Sequence, residues 1–171
     1  MLIRTYGQFW NPDTVDWGSK GAGNKGSLLG TAKVNGKTYN LDFWDQVGIY
    51  VLHDEFRTVY IGQAMDQAIG KRLRDHLTDR FAGRWDMFSW YGLKGITKSG
   101  KLQTKAGGKN VKPGSVATTL EAFGILLTDA PLNRKREKLP SAIQVEQRKA
   151  PHPYTVRHYL EKIIEHHNIK L

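Results

Sequence analysis

Two short apolar runs between residues 47 and 62 constrain the fold of this chain more than any other feature. The segment VGIYVLHDEFRTVYIG places Val, Ile and Tyr on both sides of the polar centre HDEFR, a pattern typical of an antiparallel hairpin. Side chains alternate between the two faces of a strand, so a three-residue loop at 54–56 would pair Tyr50 directly with Tyr60 and project both rings from one face. Taken alone, the pair also fits two half-buried strand tyrosines.

The rest of the chain predicts an α+β domain. Asn35-Gly36, within the strand-like segment 28–43, predicts another hairpin, because both turn positions require positive φ. Apolar residues at helical spacing predict helices, and an aromatic segment at 84–93 predicts a strand. The predicted helices span 66–81, 115–127 and 154–167. We therefore expect a small, mainly antiparallel sheet flanked by helices.

Charge and composition favour an intracellular protein with a polyanionic partner. The 171 residues carry 26 Lys and Arg against 16 Asp and Glu, a formal net charge of +10, and such a balance is typical of nucleic-acid binding. The chain has no cysteine, which excludes disulfides and thiolate metal sites and fits a reducing cytoplasm. Its N-terminus lacks the apolar core of a signal peptide, and no apolar run approaches the roughly 18 residues of a membrane span.

Several polar residues occur at positions that are ordinary when taken one at a time. Arg72 and His76 lie four residues apart in the first predicted helix and therefore share a face. Glu121 follows directly after Leu120, which we place on the core face of the second helix. Asn133 follows Pro131-Leu132. Each position alone is typical of a solvated helix face or a turn.

Taken in order, these residues resemble the GIY-YIG nuclease family. The resemblance covers about residues 47–134, and a His four residues after the Arg is closer to the homing and restriction branches than to the excision-repair branch. The interval from Tyr60 to Arg72 is about two residues longer than usual, and residues 94–114 are an apparent insertion. The matching residues are Gly48-Ile49-Tyr50, Tyr60-Ile61-Gly62, Arg72, His76, Glu121 and Asn133.

This resemblance divides the chain into three parts. Residues 1–46 form an N-terminal extension with a β-hairpin, and residues 47–134 form a GIY-YIG-like core that includes the Lys/Gly-rich insertion. Residues 135–171 form a basic segment and a helix. One core with an unfamiliar N-terminal segment favours, by analogy, a stand-alone restriction or anti-phage enzyme. Homing and repair remain alternatives.

The resemblance also implies a role for each tyrosine. Tyr50 acts on the attacking water as general base or orienter, and Tyr60 bonds a phosphate oxygen or His76. A free tyrosine, with a pKa of about 10, is a poor base at neutral pH. We therefore expect a nearby cation, His76 or Lys71, to lower the pKa of Tyr50 or relay its proton. Gly48 and Gly62 are expected to leave room for close approach of DNA.

The remaining residues of the resemblance bind phosphate and metal. Arg72, planar and permanently charged, suits a phosphate clamp. Glu121 is the implied ligand of one divalent cation, Mg²⁺ or Mn²⁺, completed by water and phosphate oxygens. Asn133 orients the substrate or the residues around the metal.

Basic residues around this core are expected to hold DNA, most simply duplex DNA, through its phosphates. Residues 94–114 carry six lysines and no acid, and a second basic run follows Asn133. The expected nucleic-acid-binding residues are Lys71, Lys94, Lys98, Lys101, Lys105, Lys109, Lys112, Arg134, Lys135 and Arg136.

Two other functions are compatible with the same residues. One is a catalytically silent nucleic-acid-binding module, and the other is a nuclease that prefers RNA or single-stranded DNA. Cleavage of both strands by a chain with one site requires either a homodimer or two sequential events.

Overall fold

A computed structural model of the protein describes residues 2–19, 25–107, 119–120, 122–124, 139 and 141–150. Its dominant feature is a seven-stranded sheet. The strands are β1 (Thr5–Trp10), β4 (Leu29–Val34), β5 (Lys37–Asp42), β6 (Gly48–Asp54), β7 (Arg57–Ala64), β8 (Met87–Gly92) and β9 (Ile143–Gln147). They lie in the order β5-β4-β9-β1-β8-β6-β7, and neighbouring strands run antiparallel except β1 and β9, which are parallel.

The α+β class and the mainly antiparallel sheet are confirmed, but the sheet is larger than the small one that was predicted. Residues 1–46, expected as an extension, supply β1, β4 and β5 to the same sheet as the predicted core. They also form a separate pair, β2 (Asp16–Gly18) with β3 (Lys25–Ser27). The strand β9 was not predicted. The helix expected over 154–167 lies outside the described residues.

Both predicted hairpins are present, and both have two-residue turns. In the β4–β5 hairpin, Asn35 and Gly36 have φ of 49° and 79°, as a type I′ turn requires. In the β6–β7 hairpin, Glu55 and Phe56 hold the equivalent positions with φ of 47° and 70°. The loop expected at 54–56 is therefore one residue shorter than predicted.

One helix, α1 (Ile69–Asp75), packs against the face of the sheet that carries the main core. Its N-cap, Ala68, makes no side-chain cap bond. Instead, the amides of Ile69 and Gly70 donate to the carbonyls of Gln46 and Trp44, at 2.8 and 3.1 Å. These bonds satisfy donors that the first turn of a helix leaves unpaired, and they fix where α1 begins.

The two faces of the sheet bury different clusters. Tyr50, Leu52 and Trp90 belong to the main core with α1, whereas Val51 and Tyr91 belong to a second cluster that includes Ala122. This division follows from the alternation of side chains along β6 and β8. Alternate residues along β6 therefore face opposite sides of the sheet.

Candidate active site

The β6–β7 register places Tyr50 opposite Gly62, and Tyr60 opposite Leu52. Direct pairing of the two tyrosines was predicted and is wrong, because the turn is shorter and an irregularity between Leu52 and His53 shifts the register. Their common face is confirmed: the ring centroids are 6.1 Å apart on one side of the hairpin. The tyrosines are diagonal neighbours, a separation that aromatic rings can span.

Both motif glycines make room for the protein itself. A Cβ on Gly62 would overlap the ring and hydroxyl of Tyr50, and a Cβ on Gly48 would overlap the carbonyl oxygen of Tyr91. Gly48 also has a φ of 148°, a backbone angle that residues other than glycine rarely adopt. We expected the space beside each glycine to admit DNA. That space is instead filled by Tyr50 at Gly62 and by β8 at Gly48.

The helix α1 presents Arg72 and His76 to the tyrosines. The predicted helix over 66–81 is too long at both ends, since residues 76–83 form turns after Asp75. After His76 the amides of Leu77 and Thr78 donate to carbonyls three residues back, at 3.1 and 3.2 Å, and Asp79 accepts a hydrogen bond from the amide of Phe81 at 2.8 Å. Such local side-chain bonds compete with the helix. His76 remains one turn from Arg72, as its amide donates to the Arg72 carbonyl at 3.3 Å.

A chain of two hydrogen bonds runs through His76. Its Nε2 lies 2.8 Å from the hydroxyl oxygen of Tyr50, and its Nδ1 lies 2.6 Å from Oδ2 of Asp79. The backbone carbonyl of His76 also accepts from the Trp85 indole at 3.4 Å. The ring of His76 is therefore held at both nitrogens.

Aromatic rings enclose this chain. Phe81 lies 4.5 Å from Tyr60 and 5.2 Å from His76, measured between ring centroids. Tyr50 is 0% exposed and His76 is 3% exposed. Tyr60 and Arg72 are partly buried and Asp79 is exposed, so these three members of the group meet solvent.

Burial raises the pKa of Tyr50 to about 12, although the Arg72 guanidinium acts in the opposite direction. The prediction that His76 or Lys71 lowers the pKa of Tyr50 is therefore wrong: the cation that acts on it is Arg72, and burial outweighs that effect. Taking the phenolate out of water raises the pKa of Tyr50 by more than the Arg72 guanidinium lowers it. Tyr50 is a neutral phenol at physiological pH.

The implied metal ligand, Glu121, and Asn133 lie outside the described residues. Residues 119–120 and 122–124 are helical. The placement of Leu120 on the core face is wrong, as it is 64% exposed. Ala122 and Phe123 make the core contact, as predicted for Phe123, with the Phe123 ring 4.8 Å from Tyr91. This contact is on the face opposite the Tyr50 ring.

The predicted phosphate-binding lysines differ in their surroundings. Lys71, Lys98, Lys101 and Lys105 are exposed. Lys94 is partly buried, and its ammonium group donates to the Asp45 carbonyl at 2.6 Å. The remaining residues of the predicted set, Lys109, Lys112, Arg134, Lys135 and Arg136, lie outside the described part of the chain.

The described part of the insertion, residues 94–107, is more structured than the glycine-rich loop that was expected. Ile96 and Leu102 form a β-bridge and pack against the main core. The hydroxyl of Tyr39 donates to the Lys98 carbonyl at 3.2 Å. The segment thus holds Lys98 and Lys101 on a fixed turn beside β5.

Asp79 and Phe81 are site residues that sequence reasoning missed. The one local signal for Asp79 is its spacing of three residues after His76, at the end of a predicted helix face. Phe81 had been placed at the end of that helix, where nothing marked it as a neighbour of Tyr60.

Compared with protein-family models, with curated proteins and with solved structures, the chain matches none of them. Within the described ranges, no helix combines the length and the apolar character needed to cross a bilayer.

Proposed function

We propose that this protein is a divalent-metal-dependent endonuclease that hydrolyses DNA phosphodiester bonds in the manner of the GIY-YIG family. The observation that carries the proposal is the 2.8 Å contact between the Tyr50 hydroxyl and His76 Nε2, with Tyr60 and Arg72 beside it. Four residues that the resemblance names by motif, from β6, β7, α1 and the C-cap of α1, meet at one place on one face of the sheet. A phenol, an imidazole and a guanidinium are suited to move a proton and bind a phosphate.

Arg72 would bind the scissile phosphate. Its guanidinium is partly exposed and favours ionisation of the Tyr50 hydroxyl. A phosphate is a stronger partner for a guanidinium than a neutral phenol, because it carries charge and accepts two parallel bonds. A phosphate bound by Arg72 would therefore lie beside the Tyr50 hydroxyl, where the attacking water is needed. Tyr60, also at the solvent boundary, would bond a phosphate oxygen.

Glu121 would hold the cation, Mg²⁺ or Mn²⁺, and Asn133 would orient groups around it. A bound cation would stabilise the charge that develops on the phosphate. The described residues contain no group of three His, Asp or Glu side chains placed to hold a metal. A Mg²⁺ site built from one carboxylate, water and phosphate needs no such group, and Glu121 itself lies outside the described residues.

DNA would be held by exposed cations on a chain of net charge +10. Lys98, Lys101 and Lys105 are exposed on the turn of residues 94–107 and suit contacts to successive phosphates. A restriction or anti-phage role, in the cytoplasm and with a homodimer for double-strand cleavage, belongs to the same proposal.

The experiment that tests this function compares supercoiled plasmid, single-stranded DNA and RNA, each with Mg²⁺ and with EDTA. Mg²⁺-dependent nicking or linearisation of plasmid supports the proposal. Cleavage confined to RNA or to single-stranded DNA would mean that this nucleic acid, and not duplex DNA, is the substrate. Tight DNA binding without cleavage of any substrate, with Mg²⁺ or Mn²⁺ present, would favour the silent binding module and overturn the enzyme.

A further inference from the structure

Asp79, which is not among the motif residues of the resemblance, uses its two carboxylate oxygens for two different contacts. Oδ2 lies 2.6 Å from Nδ1 of His76, and Oδ1 accepts from the Phe81 amide at 2.8 Å. The first contact continues the chain that begins at Tyr50. The second holds the turn that places the Phe81 ring against Tyr60 and His76.

With a neutral imidazole at His76, the protons in this chain run in one direction. Desolvation would raise the pKa of Asp79, but hydrogen bonds from the Phe81 amide and from His76 outweigh it and hold this pKa below its ordinary value. The carboxylate is therefore ionised and can only accept, so Nδ1 of His76 carries a proton. In the neutral imidazole, Nε2 then has a free lone pair, and it accepts the hydroxyl proton of the neutral Tyr50.

We propose that Asp79 is a positioning residue that sets His76 as the final proton acceptor of the reaction, with Tyr50 as the shuttle between water and His76. This proposal rests on the nuclease function proposed above. The attacking water gives a proton to the Tyr50 oxygen while the phenolic proton of Tyr50 passes to His76 Nε2. The hydroxide oxygen forms a bond to phosphorus, the bond to the leaving oxygen breaks, and that oxygen takes a proton from solvent.

This sequence removes the difficulty of a tyrosine with a high pKa. Tyr50 loses and gains a proton in the same step, so no phenolate has to accumulate in a buried site. The positive charge appears on His76, 2.6 Å from an ionised carboxylate, which stabilises it as a carboxylate stabilises a catalytic imidazolium in other hydrolases. His76 later returns its proton to solvent.

The described groups facing the relay are consistent with this direction. Arg72 from α1 favours loss of the Tyr50 proton, whereas Tyr60 from β7 opposes it. Arg80, beside Asp79, attracts the carboxylate and favours its ionised form. The Trp85 indole donates only to the backbone carbonyl of His76 and leaves both ring nitrogens to the relay.

Asp79→Asn separates the positioning role from the structural one. The amide oxygen can still accept from the Phe81 amide, so the turn is kept. The amide nitrogen donates to Nδ1 of His76, which forces the imidazole proton onto Nε2 and points it at Tyr50. The matched control is Asp66→Asn, which makes the same change of charge at an exposed residue before α1.

We expect Asp79→Asn to lower kcat for plasmid cleavage by about 10²- to 10⁴-fold, the range for loss of a general base or its correct tautomer. KM and the DNA affinity in EDTA should not change, and Asp66→Asn should match the wild type. Nitrogen-15 NMR of the histidine rings supplies a second readout that does not require activity. The wild type should carry the His76 proton on Nδ1, and Asp79→Asn should carry it on Nε2.

Each outcome decides between the two proposals. A wild type that cleaves DNA while Asp79→Asn retains full kcat overturns the relay and leaves the nuclease intact. A wild-type His76 protonated on Nε2 and not on Nδ1 overturns the relay even if Asp79→Asn fails to fold. A wild type that cleaves no nucleic acid overturns the function and the relay together.

Discussion

Gly62 lies directly across the β6–β7 ladder from Tyr50, and the Tyr50 ring occupies the space where any other residue at 62 would carry its Cβ. The ring is fully buried and its hydroxyl is bonded to His76. It therefore cannot swing away without breaking the chain to Asp79. Gly62 thus sets the position of Tyr50.

We predict that Gly62→Ala displaces Tyr50 and uncouples it from His76. An added methyl in a packed site costs about 1–3 kcal/mol of unfolding free energy, and a displacement of about 1 Å at a reacting group costs about 10²-fold in rate. Urea unfolding and plasmid cleavage measure the two effects. Gly107→Ala is the control, because a Cβ there meets no atom within 4 Å. Equal rates for Gly62→Ala and the control would contradict the packing argument.

The lysines of residues 94–107 are predicted to divide into two groups. Replacing Lys98, Lys101 and Lys105 by Gln should weaken DNA binding and reduce the slope of log K against log salt by about 0.9 for each phosphate that the protein no longer neutralises. Lys94→Gln should leave that slope nearly unchanged, because its ammonium group is bonded to the Asp45 carbonyl. Binding measured at several salt concentrations separates them. A larger change of slope for Lys94→Gln would reverse the assignment.

The buried tyrosines predict a loss of stability at alkaline pH. Burial raises the pKa of Tyr91 to about 12, whereas a tyrosine in the unfolded chain ionises near 10. The unfolded state therefore releases protons first as pH rises, and the stabilising contribution present below pH 10 is lost between about 10 and 12. Tyr91→Phe should lose about 1 kcal/mol less unfolding free energy than the wild type between pH 9 and pH 11. An equal loss of unfolding free energy between pH 9 and pH 11 in the wild type and in Tyr91→Phe would refute this.

Glu121→Gln tests the implied metal ligand. Glutamine keeps the size and helix propensity of glutamate but removes the charge that a hard cation requires. Mg²⁺-dependent cleavage should be lost, while DNA affinity in EDTA should hold or rise slightly because a negative charge near phosphate is gone. Retained Mg²⁺-dependent cleavage would place the metal elsewhere. Lower affinity in EDTA would mean a structural role for Glu121.

Local patterns predicted the parts of the fold that local physics determines. Asn35-Gly36 marks its turn because both residues need positive φ, and the alternation in β6 and β7 puts Tyr50 and Tyr60 on one face. The register was not predictable from the same pattern, since the two-residue turn uses Glu55 and Phe56, which carry no turn signal. A shift of register by two residues leaves every side chain on its original face.

Pairings between distant segments escaped prediction. The parallel contact of β1 with β9 joins Thr5 to Ile143, and nothing within either segment specifies its partner. The contact between His76 and Asp79 is local, but the helical pattern predicted a continuous helix through both. The turn after His76 includes a bond from the Phe81 amide to Asp79, and apolar spacing does not reveal such a bond.

Tyr50→Phe tests whether Tyr50 carries out chemistry on DNA. Phenylalanine keeps the ring in its packed place and removes only the hydroxyl that bonds His76. With Mg²⁺ and supercoiled plasmid, the single-turnover cleavage rate of Tyr50→Phe should fall by about 10²-fold or more, while its DNA affinity in EDTA stays that of the wild type. A rate close to that of the wild type would contradict the account.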